Sequence, residues 1–472
     1  MITQIEIDGF KTFKNFKVEL APFQVIVGAN GSGKSNLFDA LHLLGRLASH
    51  DLLEAFQDLR GEPDALFTKG FNKEAMKRMR FAVEMLLDRT VSDDVGQKVQ
   101  LQYTRLRYEL EIISDINESG LDQLYVNNEA LKIISPENDT WAKKYHVLPA
   151  WWSNPTGEDE TNQIGFIATL AGLHGPVIEV YRDPTWGNAL VYPAKELSQT
   201  VLTLVKGAEY VSISAVRAEM RSWKFMHLDP EELREPSSTK APRTLSPRGS
   251  NLASTLIRIQ TEDKFALGDV SRDMANLVPG ILKIRVERDK IGERYVVYAE
   301  TIDQRVFSSQ VLSDGTLRLL ALATLRNDSQ LHGILCLEEP ENGISPLHLK
   351  NMARLLRSMA TDLSDPDQLH SPLRQVLVTT HSPLFISQPA VIDALLLAFV
   401  PTRVQGRANP TQVTRMVAVI TPEALAHLEN VSRDDKAIGA YTANILRSYL
   451  DSELLEEARE QLEKGHRELN ER

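Results

Sequence analysis

The chain is short of cysteine, of long apolar runs and of net positive charge, and each shortage excludes something. Its only cysteine is Cys336, so no disulfide can form within the chain and a disulfide-stapled secreted fold is excluded. No apolar run reaches the roughly 18 residues that a membrane-crossing helix needs. The N-terminal stretch MITQIEIDGF lacks the basic start and apolar core of a signal peptide, because Glu6 and Asp8 interrupt it. A cytoplasmic protein with no membrane partner is therefore expected. Lysine and arginine number 53 against 64 acidic residues, a formal charge of −11, which argues against a protein coated with nucleic acid but leaves room for a local basic face.

What the chain does have is enough apolar material for more than one core. Of its 472 residues 42% are hydrophobic and 25% charged, a composition for two or three domains. Positive charge gathers in TKGFNKEAMKRMRF, where Lys69, Lys73, Lys77, Arg78 and Arg80 stand against Glu74 alone. A solvated surface is the plainer reading of that run, with a contact to double-stranded DNA as the alternative. There is no internal repeat and no sustained heptad, so no arm of coiled coil is expected.

Patterning divides the chain. Ile5–Ile7 and Phe16–Leu20 alternate around DGFKTFKN and predict two antiparallel strands. FQVIVGAN is an apolar run ended by glycine, a buried strand flowing into a loop, and Leu37, Leu41, Leu44 and Ala48 then recur at helical spacing. From about residue 80 to 300 short strand patterns (RFAVEML, LRYELEII, ERYVVYAE) alternate with loops rich in Pro, Ser and Thr. Order returns with a helix from Leu317 to about Asn327, a strand in GILCLEEPENGI, a helix in PLHLKNMARLLRSMA and a buried strand in QVLVTTHSPLF. ALLLAFVP and RMVAVITP are a further strand pair, and the tail from about Asp451 reads as a charged amphipathic helix.

Three motifs carry chemistry. GANGSGKS, Gly28 to Ser35, fits the phosphate-loop pattern at every required position, between a strand and a helix. Gly28, Asn30, Gly31 and Gly33 let backbone N–H groups wrap phosphates, Lys34 reaches the outer phosphates, Ser35 offers an oxygen to Mg²⁺, and Asn36 follows. ILCLEEPEN ends an apolar strand in two carboxylates, and adjacent strand residues point to opposite faces, so Glu338 and Glu339 cannot share one core. Glu338 stands where a metal-side carboxylate belongs, and Glu339 where a base would orient or deprotonate water. VLVTTHSP ends another strand at His381, about 40 residues on with a helix between, which suits adjacent parallel strands ending on the same side. LSDGT remains: Ser313 and Asp314 are either plain helix N-caps or part of a nucleotide contact, and a cap presents the same N–H groups.

Together these motifs resemble the ABC-type ATPase head of the SMC/RecF class, closest to stand-alone prokaryotic ATPases of the overcoming-lysogenization-defect-like and SMC-like group. IDGFKTFKNF, GANGSGKSN, SWKFMHLDPEELREP, RGSNLASTL, LSDGTLRLLALATL, EEPENGISP and TTHSPLF carry the resemblance. It implies an α/β P-loop NTPase fold, a mixed sheet with N-terminal antiparallel strands plus an inserted α+β or helical region. The expected parts are an N-terminal lobe at 1–90, an insertion completing the lobe and forming a lid or partner-binding subdomain at 91–300, a C-terminal lobe at 301–400, and strands and helix at 401–472.

The resemblance further implies an ATPase using ATP and Mg²⁺ that closes head to head. Ser313 and Gly315 of one copy would contact the γ-phosphate held by another, Asn342–Ser345 would cross the interface, and His381 would touch the γ-phosphate. The glutamine that related heads carry has no evident counterpart, and LFTKGFNK occupies its expected place without one. The roughly 90 residues after His381 lack the acidic strand end and D-x-D pair of a Toprim nuclease; the one D-x-D, Asp365 and Asp367, precedes His381. By resemblance, the expected role is a sensor in an antiphage defence system such as Septu, PARIS or a retron-linked module, with a separate nuclease or toxin as effector. A RecF-like DNA repair ATPase and a scaffold that holds ATP as structural glue are the alternatives.

Overall fold

The computed structural model describes residues 1–61, 63–69, 76–92, 96–116, 120, 122–152, 165–183, 188–289, 292–400 and 413–419. The centre of the basic stretch, 70–75, and the expected tail helix lie outside the described residues.

Alternation in the first twenty residues does make an antiparallel pair. Ile2–Asp8 runs against Phe16–Glu19, with Gln4 opposite Glu19 and Ile7 opposite Phe16. On its other edge Ile2–Asp8 pairs with Arg78–Leu86, and the sheet continues through Arg105–Ile116, Asp122–Ile133, Ile167–Gly172 and Gly175–Val180 to Leu190–Pro193, eight strands in all. The strands of the first part of the insertion thus extend the N-terminal sheet.

The second sheet has six strands and carries the motifs. In chain order they are β1 (Phe23–Val27), β2 (Lys224–Met226), β3 (Gly333–Glu338), β4 (Arg374–Thr380), β5 (Leu395–Phe399) and β6 (Arg415–Ala418). Side by side they run β2-β3-β4-β1-β5-β6, parallel except for β6. A parallel sheet is covered on both faces, which is why β1 and the apolar part of β3 read as unbroken apolar runs. Alternate residues serve two cores. Ile26, Ile334, Cys336, Leu377 and Leu396 face the core shared with the eight-stranded sheet. Val25, Val27, Leu335, Leu337, Val376, Val378 and Leu397 face the other core. Each such burial is worth roughly 1.5–3 kcal/mol.

Three helices position the site. α1 (Lys34–Leu47) follows β1 and buries Leu37, Leu41, Leu44 and Leu47 at the expected spacing. α2 (Asp314–Arg326) begins before Leu317 because Ser313 caps it, accepting from the Thr316 N–H at 3.3 Å. α3 (Pro346–Met359) starts with proline at its first position, where no N–H is needed, and buries Leu349, Met352, Ala353 and Leu356. Among the described residues no helix is long and apolar enough to cross a membrane.

Candidate nucleotide hydrolysis site

Parallel strands end at one edge, and there the sheet delivers its chemistry. β1 runs into Gly28, β2 into His227, β3 into Glu338 and Glu339, and β4 into His381. A cleft of about 280 Å³ at this edge is lined by Asn30, Gly31, Gly33, Lys34, Ser35, Asn36, His227, Glu338, Glu339 and Thr379.

The loop from Gly28 to Gly33 needs its glycines for two reasons. Gly31 has open space around it but a φ of +79°, and Gly33 has a φ of +96°. Gly28 is instead confined: a Cβ would lie 2.2 Å from the Ala398 carbonyl oxygen. Gly33 is the N-cap of α1 and offers no side-chain cap, so the first N–H groups of a 14-residue helix meet the cleft without one. Lys34 is only 7% exposed, and its Nζ donates to the carbonyls of Gly28 and of Ala29, the latter at 3.2 Å. Ser32 Oγ is buried with no hydrogen-bond partner among the described residues.

Glu338 keeps the parity of Ile334 and Cys336, which turns it toward the phosphate-loop side. Its Oε2 lies 3.7 Å from His227 Nδ1 and 3.7 Å from Arg60 Nη2. Glu339 breaks the parity. Its φ of +45° takes it out of the strand, and both carboxylates line the same cleft rather than opposite faces. Its N–H donates to the Thr379 carbonyl at 2.9 Å. His381 Nδ1 lies 2.7 Å from Glu339 Oε1, and Asn342 Nδ2 donates to Glu339 Oε2 at 2.8 Å. The bond to His381 holds the Glu339 carboxyl down at about 2, and the same bond raises the imidazole from its ordinary value.

Ser313 and Gly315 do not line this cleft. They lie beside the turn after Glu339: a Cβ on Gly315 would come 2.7 Å from the Gly343 carbonyl oxygen, and Arg318 of α2 donates to the Asn342 carbonyl. Arg234 fixes the approach, meeting Asp314 at 2.6 Å and donating to the carbonyls of Gln310 and Leu312. Ser313 itself is exposed.

Two comparisons with family models match. Residues 204–387 match "AAA domain, putative AbiEii toxin, Type IV TA system", and residues 1–148 match "AAA ATPase domain". The chromosome partition protein Smc of Bordetella petrii is 30% identical over 136 residues, 28% of this chain and 10% of that protein. The DNA replication and repair protein RecF of Cronobacter sakazakii is 34% identical over 70 residues, 15% of this chain and 20% of that protein. The chain carries an SMC/RecF-like P-loop ATPase head. The matched AAA ATPase descriptions support nucleotide binding and NTPase activity of the ATPase type. Each match spans a fifth or less of the curated relative's own length. A solved SMC head bound to the C-winged helix domain of ScpA aligns over 89% of this chain and 98% of its own, at 13% identity and a TM-score of 0.47.

Pattern does not reveal His227, which lines the cleft one residue beyond a strand of only three residues. Of the stretch LFTKGFNK, Leu66 and Phe67 are buried, with Phe67 bridged to Phe10, and 70–73 lie outside the described residues.

The donors fit a hard cation. Ser35 and Glu338 both bring oxygen to the cleft, few enough to leave places for phosphate oxygens and water. Among the described residues no group of three or more His, Cys, Asp or Glu forms a metal cage.

Proposed function

We propose that this head hydrolyses ATP as a dimer in which each copy's Ser313–Gly315 segment meets the nucleotide on the other copy's phosphate loop. One observation carries this reading: Ser313, at the exposed N-terminus of α2, stands away from its own chain's phosphate cleft. A helix start favours an anion, and the nucleotide held by a second copy would supply one there. The loop 342–345 packs against the same helix start, so both would enter one interface, and Leu347 beside it is 87% exposed.

Within one copy, α1's N-terminus and Lys34 bind and orient the phosphates. Ser35 and Glu338 would hold Mg²⁺, which would supply positive charge against the phosphate oxygens. Glu339 is ionised at neutral pH and bonded to His381 and Asn342, so it is placed to orient a water against the terminal phosphate. Closure around ATP and release after hydrolysis make the dimer a switch. We assign the switch to control of a separate protein effector in antiphage defence. The toxin–antitoxin description of the matched family model supports that reading.

Steady-state turnover with and without double-stranded DNA, with Glu339→Gln as the blank, tests the proposal together with light scattering. ATP-dependent dimers and turnover indifferent to DNA support it. Turnover raised several-fold by DNA favours a DNA repair role, and monomers at saturating ATP overturn the shared site.

A further inference from the structure

Glu341 is the acid of the EEPEN turn that hydrolysis as proposed leaves unused, and it is the most deeply buried of the three, at 5% exposure. A buried carboxyl is costly unless it is hydrogen-bonded. Its Oε1 accepts from the Thr380 hydroxyl, while Oε2 is buried with no hydrogen-bond partner among the described residues. Burial pushes the carboxyl up to about 7, so the position extracts a real desolvation cost.

Its partner explains the placement. Thr380 is fully buried, ends β4 and immediately precedes His381. The hydroxyl that donates to Glu341 also accepts from the Ser382 N–H at 2.9 Å, so it ties down the backbone on both sides of the histidine. The turn after β3 is joined to β4 at two further points, Glu339 N–H to the Thr379 carbonyl and Glu339 Oε1 to His381. Three contacts thus set one turn against the other, and of the two made by side chains the Glu341–Thr380 bond is the buried one.

We propose that Glu341 is a positioning residue: acting through Thr380, it fixes where the His381 imidazole meets Glu339. This rests on the hydrolysis reading above. Removing the bond leaves the phosphate loop intact but lets the imidazole drift from the carboxylate.

The test compares Glu341→Ala, Glu341→Gln, Thr380→Val and Thr380→Ser with the wild-type head. Turnover, KM for Mg·ATP, affinity for a non-hydrolysable analogue and the NMR titration of the His381 ring are measured. Glu341→Ala and Thr380→Val lower kcat about tenfold with KM and analogue affinity within about threefold. Glu341→Gln and Thr380→Ser keep the bond and stay near wild type, and the double variant Glu341→Ala/Thr380→Val is no worse than either single one. The His381 titration moves down toward the ordinary value of 6.5 in the two damaging variants. Normal kcat in Glu341→Ala, a Glu341→Gln as damaged as Glu341→Ala, additive losses, or a matching loss of analogue affinity each overturn the proposal. Should the wild type show no turnover above Glu339→Gln, the hydrolysis reading fails, and the His381 titration alone decides whether Glu341 positions it.

Discussion

Thr414, just ahead of β6, packs directly on Gly33 of the phosphate loop: a Cβ at Gly33 would come 2.1 Å from the Thr414 hydroxyl oxygen. That hydroxyl is 2.7 Å from Thr12 Oγ1, which accepts from Asn36 Nδ2 at 2.8 Å, so Asn36 is engaged at the base of the loop. The last described strand and the first hairpin therefore brace the nucleotide loop together.

Gly33→Ala is expected to weaken nucleotide binding by about tenfold or more, because it adds both a collision and a left-handed alanine costing roughly 1–2 kcal/mol. Adding Thr414→Gly removes the collision and recovers only part of the affinity. A fluorescent-nucleotide titration reads both steps, and complete recovery would show that the φ of +96° was no constraint.

The Glu339–His381 pair gives a pH window. Glu339 is depressed, so its contribution to stability is present above its unfolded value of 4.5 and lost as pH falls toward about 2. His381 is raised, so its contribution is complete below its unfolded value of 6.5 and lost as pH climbs through its folded value. The melting-temperature difference between wild type and Glu339→Gln should peak between about pH 4.5 and 6.5 and shrink on either side. A difference flat from pH 4 to 9 would mean that the pair does not form.

Ser313→Arg places a bulky cation at the exposed start of α2. Nucleotide affinity of the isolated head should stay within about twofold, while turnover falls at least about tenfold and ATP-dependent dimers disappear from light scattering. Equal turnover in the variant would remove Ser313 from the chemistry.

A buried ion pair anchors the sheet behind the site. Arg105 Nε lies 2.5 Å from Asp139 Oδ2, both side chains are 1% exposed, and Asp139 also accepts from the Ala142 N–H. Asp139→Ala should cost about 3–5 kcal/mol, since it removes the near carboxylate of a buried guanidinium whose other partners are Thr3 Oγ1 at 2.9 Å and Glu84 Oε2 at 3.9 Å. Urea unfolding measures this, and a loss below about 1 kcal/mol would show that Thr3 and Glu84 are partners enough for Arg105.

The phosphate loop was legible because its chemistry is contiguous: eight residues contain the turn glycines, the lysine and the serine, and the strand and helix around them follow from local pattern. The carboxylates and His381 were legible for the same reason, each ending an apolar run. His227 was not, because a strand of three residues exists only where Leu335–Leu337 offers it a parallel edge. Nor was the shared cleft of Glu338 and Glu339, since strand alternation separates neighbours until a backbone torsion of +45° overrides it.

The sequence by itself determined which groups are available: phosphate-binding backbone, two carboxylates, an imidazole and a capped helix start, all encoded within short windows where propensity and spacing act. The tertiary structure alone decided which of them meet. It set β2 beside β3, laid Thr414 on Gly33, linked Glu341 to Thr380, and kept Ser313 out of its own chain's cleft. Those pairings join residues far apart in the chain, and burial of two cores on opposite faces of one sheet, not any local pattern, selects them.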